Sequence, residues 1–153
     1  MPYPSIFEPS TTEKLHRRID ALSPLSTPLW GKMTVAKMLA HCSVPYKPLL
    51  SGKRPKQPSY FTRLIARVFL KKSLTGQKDY RKNMPTAKQF IISEEPEFMR
   101  ARDNLKELIQ RAHDLGEDHY KGLEHPLLGG LSSKEWSNML YKHLDHHLRQ
   151  FGV

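Results

Sequence analysis

A single cysteine, Cys42, occurs in the 153 residues. That excludes a disulfide within the chain and any zinc site built on several thiolates. Long apolar runs are also lacking. A bilayer-crossing helix needs about 20 consecutive, mostly apolar residues, and no stretch approaches this, so no membrane span is expected. The opening MPYPSIFEPS has neither the basic start nor the apolar stretch of a signal peptide. With the lone thiol, this leads us to expect a cytoplasmic protein. Apolar residues are only 38% of the chain, and 12 prolines interrupt it. A lean core and polar loops follow. The length suits a single domain over residues 1–153.

Acidic residues are nearly missing from one stretch. Between Lys47 and Lys82 there are eleven basic side chains (Lys47, Lys53, Arg54, Lys56, Arg63, Arg67, Lys71, Lys72, Lys78, Arg81 and Lys82) against one acid, Asp79. This segment supplies the whole net charge of +10. Its ordinary role is a solvated basic loop that aids solubility. Its sharper role is a docking surface for an anion, whether a small acidic molecule, an acidic protein, a lipid headgroup or nucleic acid. Nucleic acid is the weakest of these, because Tyr60, Phe61, Phe69 and Tyr80 are not arrayed as a stacking platform and no recognition motif is present.

The periodicity predicts an all-α chain. Leu15, Ile19 and Leu22 recur at helical spacing after Ser10, which stands three residues before Glu13 as in a capping box. Ser23-Pro24 ends that helix. A second helix runs from Thr34 towards Leu50 with Val35, Met38, Leu39 and Cys42 on one stripe, and Pro45 should kink or end it. A third, Tyr60 to Lys72, sets Phe61, Leu64, Ile65, Val68 and Phe69 against Arg63, Arg67 and Lys71. A core-packed helix with a charged outer face is its ordinary reading, and a helix lying on a membrane surface is the alternative. Residues 73–95 look irregular, with Gln89–Ile92 extended. A fourth helix follows Pro96 and ends at Gly116, and a last one starts at the Ser132/Glu135 capping box. Four principal helices and a shorter one suggest an antiparallel four-helix bundle with a long irregular basic segment.

The last helix carries the chemistry. With Leu140 as the centre of its apolar stripe, His143 lies about 60° and His147 about 20° away, alongside Trp136, Leu144 and Phe151. The two imidazoles are therefore i, i+4 neighbours directed at a core. Each could simply hydrogen-bond a carboxylate or carbonyl. The spacing also lets two ring nitrogens share one metal ion. His41, flanking the stripe of the second helix, is the best third ligand. Three neutral imidazoles would leave the ion's charge uncompensated and coordination positions open, as in a site that activates water or polarises a substrate. His16, His113 and His119 are expected to be solvated. Cys42 invites a nucleophile reading, but its place on the buried stripe leads us to expect an inert thiol. Asp145 points about 140° from Leu140 and is not a candidate base.

Two stretches carry a family resemblance. Trp30-Gly31-Lys32-Met33-Thr34 with Met38-Leu39-Ala40-His41-Cys42, and His125 to Ser132 followed by Glu135-Trp136 and Tyr141 to Val153, resemble the two ends of a branch of the DinB-like (DinB/YfiT-type) superfamily of unassigned function. The resemblance implies a four-helix bundle, a homodimer, and a divalent metal, with zinc or nickel suited to imidazole, on His41, His143 and His147. It also implies an enzyme class with thiol-dependent transferases and a mycothiol-dependent isomerase among its members. A metal-dependent transferase or hydrolase taking a small anionic or thiol substrate is the expected function. A stress-response or binding scaffold with a vestigial or structural metal is the alternative. His125 belongs to the matched stretch and is read as capping its own loop, with support of a metal ligand as the alternative.

Overall fold

The computed structural model describes residues 3–52 and 56–153, and it is mostly helical with little strand. Helix α1 spans Pro9–Asp20, α2 Val35–Ser43 and α3 Tyr46–Leu50. Then come α4 (Tyr60–Phe69), α5 (Lys71–Thr75), α6 (Phe98–Asp114), α7 (Gly116–Tyr120) and α8 (Ser133–Gln150).

The helix starts follow local chemistry. Thr34 accepts from the Lys37 N–H and begins α2, as its position suggests. Ser132 and Glu135 form the full capping box of α8. The expected box at Ser10 is not formed. Pro9, with its φ fixed and no N–H to lose, occupies the first turn of α1, so the helix starts ahead of Ser10 and Glu8 becomes the cap position. Gly116 takes φ +73° just past α6, where a left-handed residue closes a helix.

Pro45 breaks the second helical run, since a proline nitrogen cannot donate back to the carbonyl of His41. The Val44 N–H bonds to it instead, at 3.1 Å, and α2 stops at Ser43. A continuous helix from His41 to Lys47 is thereby excluded.

The core is built from the predicted stripes. Helix α1 packs on α6, and Leu15 and Ile19 of the first share one buried cluster with Leu105, Ile109 and Ala112 of the second. Met38, Leu39 and Cys42 of α2 pack between α6 and the Leu140, Leu144 and Leu148 face of α8. All are buried. A short antiparallel hairpin, β1 (Glu124–His125) and β2 (Gly129–Gly130), precedes α8.

Three sequence expectations are corrected here. Gln89–Ile92 is not a strand: a single 3-10 turn spans Lys88–Phe90. The run Tyr60–Lys72 is two helices, broken after Phe69. And α4 is not core-packed. Only Ala66 of it is buried, because the outer face of α8 is covered instead by the segment after α4. There Lys142, fully buried, donates from Nζ to the carbonyls of Ser73 (2.7 Å), Gly76 (2.8 Å) and Lys78 (3.1 Å), and Asn138 donates to Thr75 (3.0 Å).

Candidate metal centre

His41, His143 and His147 converge. One ring nitrogen of each lies within 4.8 Å of the others, and the ring centroids are 4.6–5.0 Å apart. Helix α2 presents His41 from beside its buried stripe, and α8 presents the other two one turn apart. His41 is buried, and the α8 pair is half-buried.

The hydrogen bonds fix which nitrogens face the centre. His41 Nδ1 is 2.9 Å from the Phe90 carbonyl, which can only accept. Nδ1 therefore carries the hydrogen, and the Nε2 lone pair faces inward. The same deduction runs through Gln150. Its Nε2 donates to the Trp30 carbonyl at 2.7 Å, so its Oε1 faces His147 Nδ1 at 2.8 Å and must accept from it. His147 likewise keeps a lone pair on Nε2. Carbonyl and amide partners on the outer nitrogen are what orient metal-binding histidines and fix their tautomer.

His41 Nε2 stands 3.0 Å from His143 Nε2. With the His41 nitrogen an acceptor, that contact needs either a proton from His143 or a cation shared by both rings. Three nitrogens around one ion at about 2.0–2.1 Å lie roughly 3.0–3.4 Å apart. The closest pair meets this, and the widest needs small ring movements. The donor set therefore fits a borderline divalent cation.

Electrostatics keep the rings neutral. Burial pushes His41 down, His147 down to about 4, and His143 well below the usual histidine value, where the neighbouring imidazoles add to the effect. Neutral imidazole is the metal-binding form. Asp145 faces elsewhere, bonded to Arg18 at 2.7 Å and Arg149 at 3.0 Å, and so does not enter the cluster.

The remaining candidates sort clearly. Cys42 is fully buried against Met38 Sδ, and desolvation raises its thiol pKa far above the usual range. It is not among the clustered residues. His125 accepts the N–H groups of Leu127 (3.2 Å) and Leu128 (3.1 Å) on Nδ1, the loop-capping role expected of it. His119 is exposed as expected. His16 and His113 are only partly exposed. His16 is half-buried with Nε2 out of contact with water, and His113 bonds the Ile6 carbonyl at 3.1 Å. Lys53 and Arg54, cited for the basic segment, lie outside the described residues.

Sequence reasoning missed Phe90, Gln150 and the support for Gln150. Gln150 itself has a readable signal, since it follows His147 by three residues and shares its face. Gly31 completes this support. It has φ +78°, and a Cβ there would sit 2.7 Å from Gln150 Nε2. Gly31→Ala is expected to displace the Gln150 amide, free His147 to rotate, and weaken divalent-metal affinity about tenfold or more with all three ligands intact. Competition titration with a chromophoric chelator measures this, and an unchanged affinity would detach Gly31 from the site.

The fold and cluster define a helical protein with a three-histidine centre. The chain belongs to a family described as "Protein of unknown function (DUF1569)", whose model matches residues 9–152. No curated protein and no solved structure matches it.

Proposed function

We propose that this protein is a divalent-metal-dependent enzyme of DinB-like type, acting on a low-molecular-weight thiol or another small anionic substrate. The observation that carries the reading is the inward convergence of three neutral imidazoles, two of them with their outer nitrogens pinned by Phe90 and Gln150. We assign α1, α2, α6 and α8 as the four helices of an antiparallel bundle, with the ligands on the second and last of them. Zinc or nickel is the metal we assign, from the all-imidazole donor set. When bound, such an ion supplies Lewis acidity that favours the ionised form of a thiol or water.

The chain's own residues supply the rest. His41 and His147 are held by their outer nitrogens. Phe90 covers the cluster, with its ring 5.8 Å from His41 and 6.3 Å from His143. Lys82 lies over Trp30, 4.3 Å from the ring centroid, and the Trp30 carbonyl anchors Gln150. Lys82 is thereby linked to the Gln150 support of the cluster through Trp30. It suits a carboxylate on the substrate.

The test is calorimetric titration of the metal-loaded protein with a panel of small thiols, in two buffers of different ionisation enthalpy. Saturable binding with proton release is expected, lost in His143→Ala and weakened in Lys82→Ala. Thiol binding that persists without metal would overturn the reading.

A further inference from the structure

The face of α4 has no partner among the described residues. Tyr60, Phe61, Val68 and Phe69 are between 64% and 78% exposed, and Leu64 and Ile65 are each 44% exposed. Six large apolar side chains on a ten-residue helix thus lie open to water. Phe61, Leu64 and Val68 stand about 140–160° round the helix from Ala66, its one buried residue, and so form the outermost ridge. A monomer seldom leaves so contiguous an apolar patch uncovered unless it binds something.

The helix is also held in place. Inward, Ala66 packs into the core, and the Arg67 guanidinium lies against Gly129, where even a Cβ would be too close. Beyond α4, Lys142 clamps the end of α5 to α8 through three carbonyls. The ridge is presented by a fixed scaffold.

The surroundings decide the occupant. Lys56 just before α4, Arg67 within it and Lys72 just after it are exposed. Asp79, the one acid of residues 47–82, is already engaged by Arg149 and Tyr3. Glu135 of α8, the acid that lines a pocket with Val68 and Lys72, is paired with Lys71 at 3.1 Å. An apolar ridge flanked by cations, with its neighbouring acids already paired, is complementary to a surface that is apolar beneath and anionic above. It is poorly suited to a second copy of itself, because a two-fold contact would set basic frame against basic frame. At ten residues, about 15 Å, α4 is too short to cross a bilayer, and no helix of the described residues is long and apolar enough to do so.

We propose that α4 docks this protein on the surface of an anionic phospholipid bilayer. Phe61, Leu64 and Val68 enter the headgroup–acyl boundary, and the surrounding lysines and arginines meet the phosphates. This is the geometry of an interfacial amphipathic helix, in which buried apolar area and attraction to anionic lipid act together.

Vesicle flotation tests it, using phosphatidylglycerol mixed with phosphatidylcholine against phosphatidylcholine alone. The protein should float with the mixed vesicles, less so as salt rises, and weakly or not at all with the neutral ones. Phe61→Ser with Val68→Ser should weaken binding about tenfold or more. Lys56→Glu with Lys72→Glu should weaken it about fivefold or more per charge and flatten its salt dependence. Both pairs are exposed, so circular dichroism should match the parent. Leu25→Ser, at an exposed residue of another region, should bind as the parent does. Absence of flotation with anionic vesicles would overturn the proposal, as would flotation that neither pair weakens. A dimer seen by light scattering that Phe61→Ser with Val68→Ser dissociates, without vesicle binding, would reassign the ridge to self-association.

Discussion

Replacing His41, His143 or His147 with alanine is expected to lower divalent-metal affinity more than about a hundredfold in each case. Loss of a ligand should exceed the 10–100-fold effect of losing a partner behind one. His16→Ala, at a half-buried histidine outside the cluster, should leave affinity unchanged. The same site links to stability. An ion held at a hundred to a thousand times its dissociation constant stabilises the folded state by about 3–4 kcal/mol. Chelation should therefore lower the melting temperature of the parent and not of the three ligand variants. Helical circular dichroism should survive chelation, because the core of α1, α2, α6 and α8 is formed by Leu15, Leu39, Leu105, Leu140 and their neighbours without a metal. Equal metal occupancy in all four variants would remove the site.

Lys142→Met is expected to destabilise the fold by about 2–3 kcal/mol, well beyond an ordinary surface change. Burial pushes the ammonium down to about 8, so it is still charged at neutral pH and its three N–H donors are present. They satisfy the carbonyls of Ser73, Gly76 and Lys78, and the cation also lies 4.6 Å from the Tyr80 ring centroid. Methionine keeps the stem and removes every donor. The segment after α5 should then loosen from α8 and carry Asp79 and Tyr80 with it. Urea denaturation reads the loss as a lower midpoint. Lys134→Met, on the exposed first turn of the same helix, should shift it by less than about 0.5 kcal/mol. Equal effects at the two lysines would show that the carbonyl clamp contributes nothing.

Lys142 also marks where the sequence stops being legible. Its position, opposite the Leu140 stripe, reads as solvent-facing on any helical wheel. Only the packing of α5 across that side, some 70 residues away in the chain, makes it buried. Helix α4 fails in the opposite direction. Its amphipathic pattern is the same whether its apolar face meets a core or is left open, since periodicity records a face and not its partner. The histidine cluster was more accessible. The i, i+4 spacing of His143 and His147 and their place on the α8 stripe are local facts, and His41 flanks the α2 stripe. What closes the cluster is not local. The Phe90 carbonyl arrives from a 3-10 turn that four residues of sequence suggested as a strand, and the Trp30 carbonyl reaches Gln150 across 120 positions. Backbone carbonyls have no sequence signature, so a supporting shell built from them is visible only in three dimensions.

X-ray absorption spectroscopy of protein purified without a metal-affinity step, with elemental analysis of the same sample, tests the central claim most directly. One divalent ion per chain is expected, with imidazole scattering from three rings, nitrogen distances of about 2.0–2.1 Å and no sulfur in the shell, because Cys42 is buried against Met38. A substoichiometric ion, a sulfur ligand, or a spectrum unchanged in His143→Ala would contradict a centre built on His41, His143 and His147.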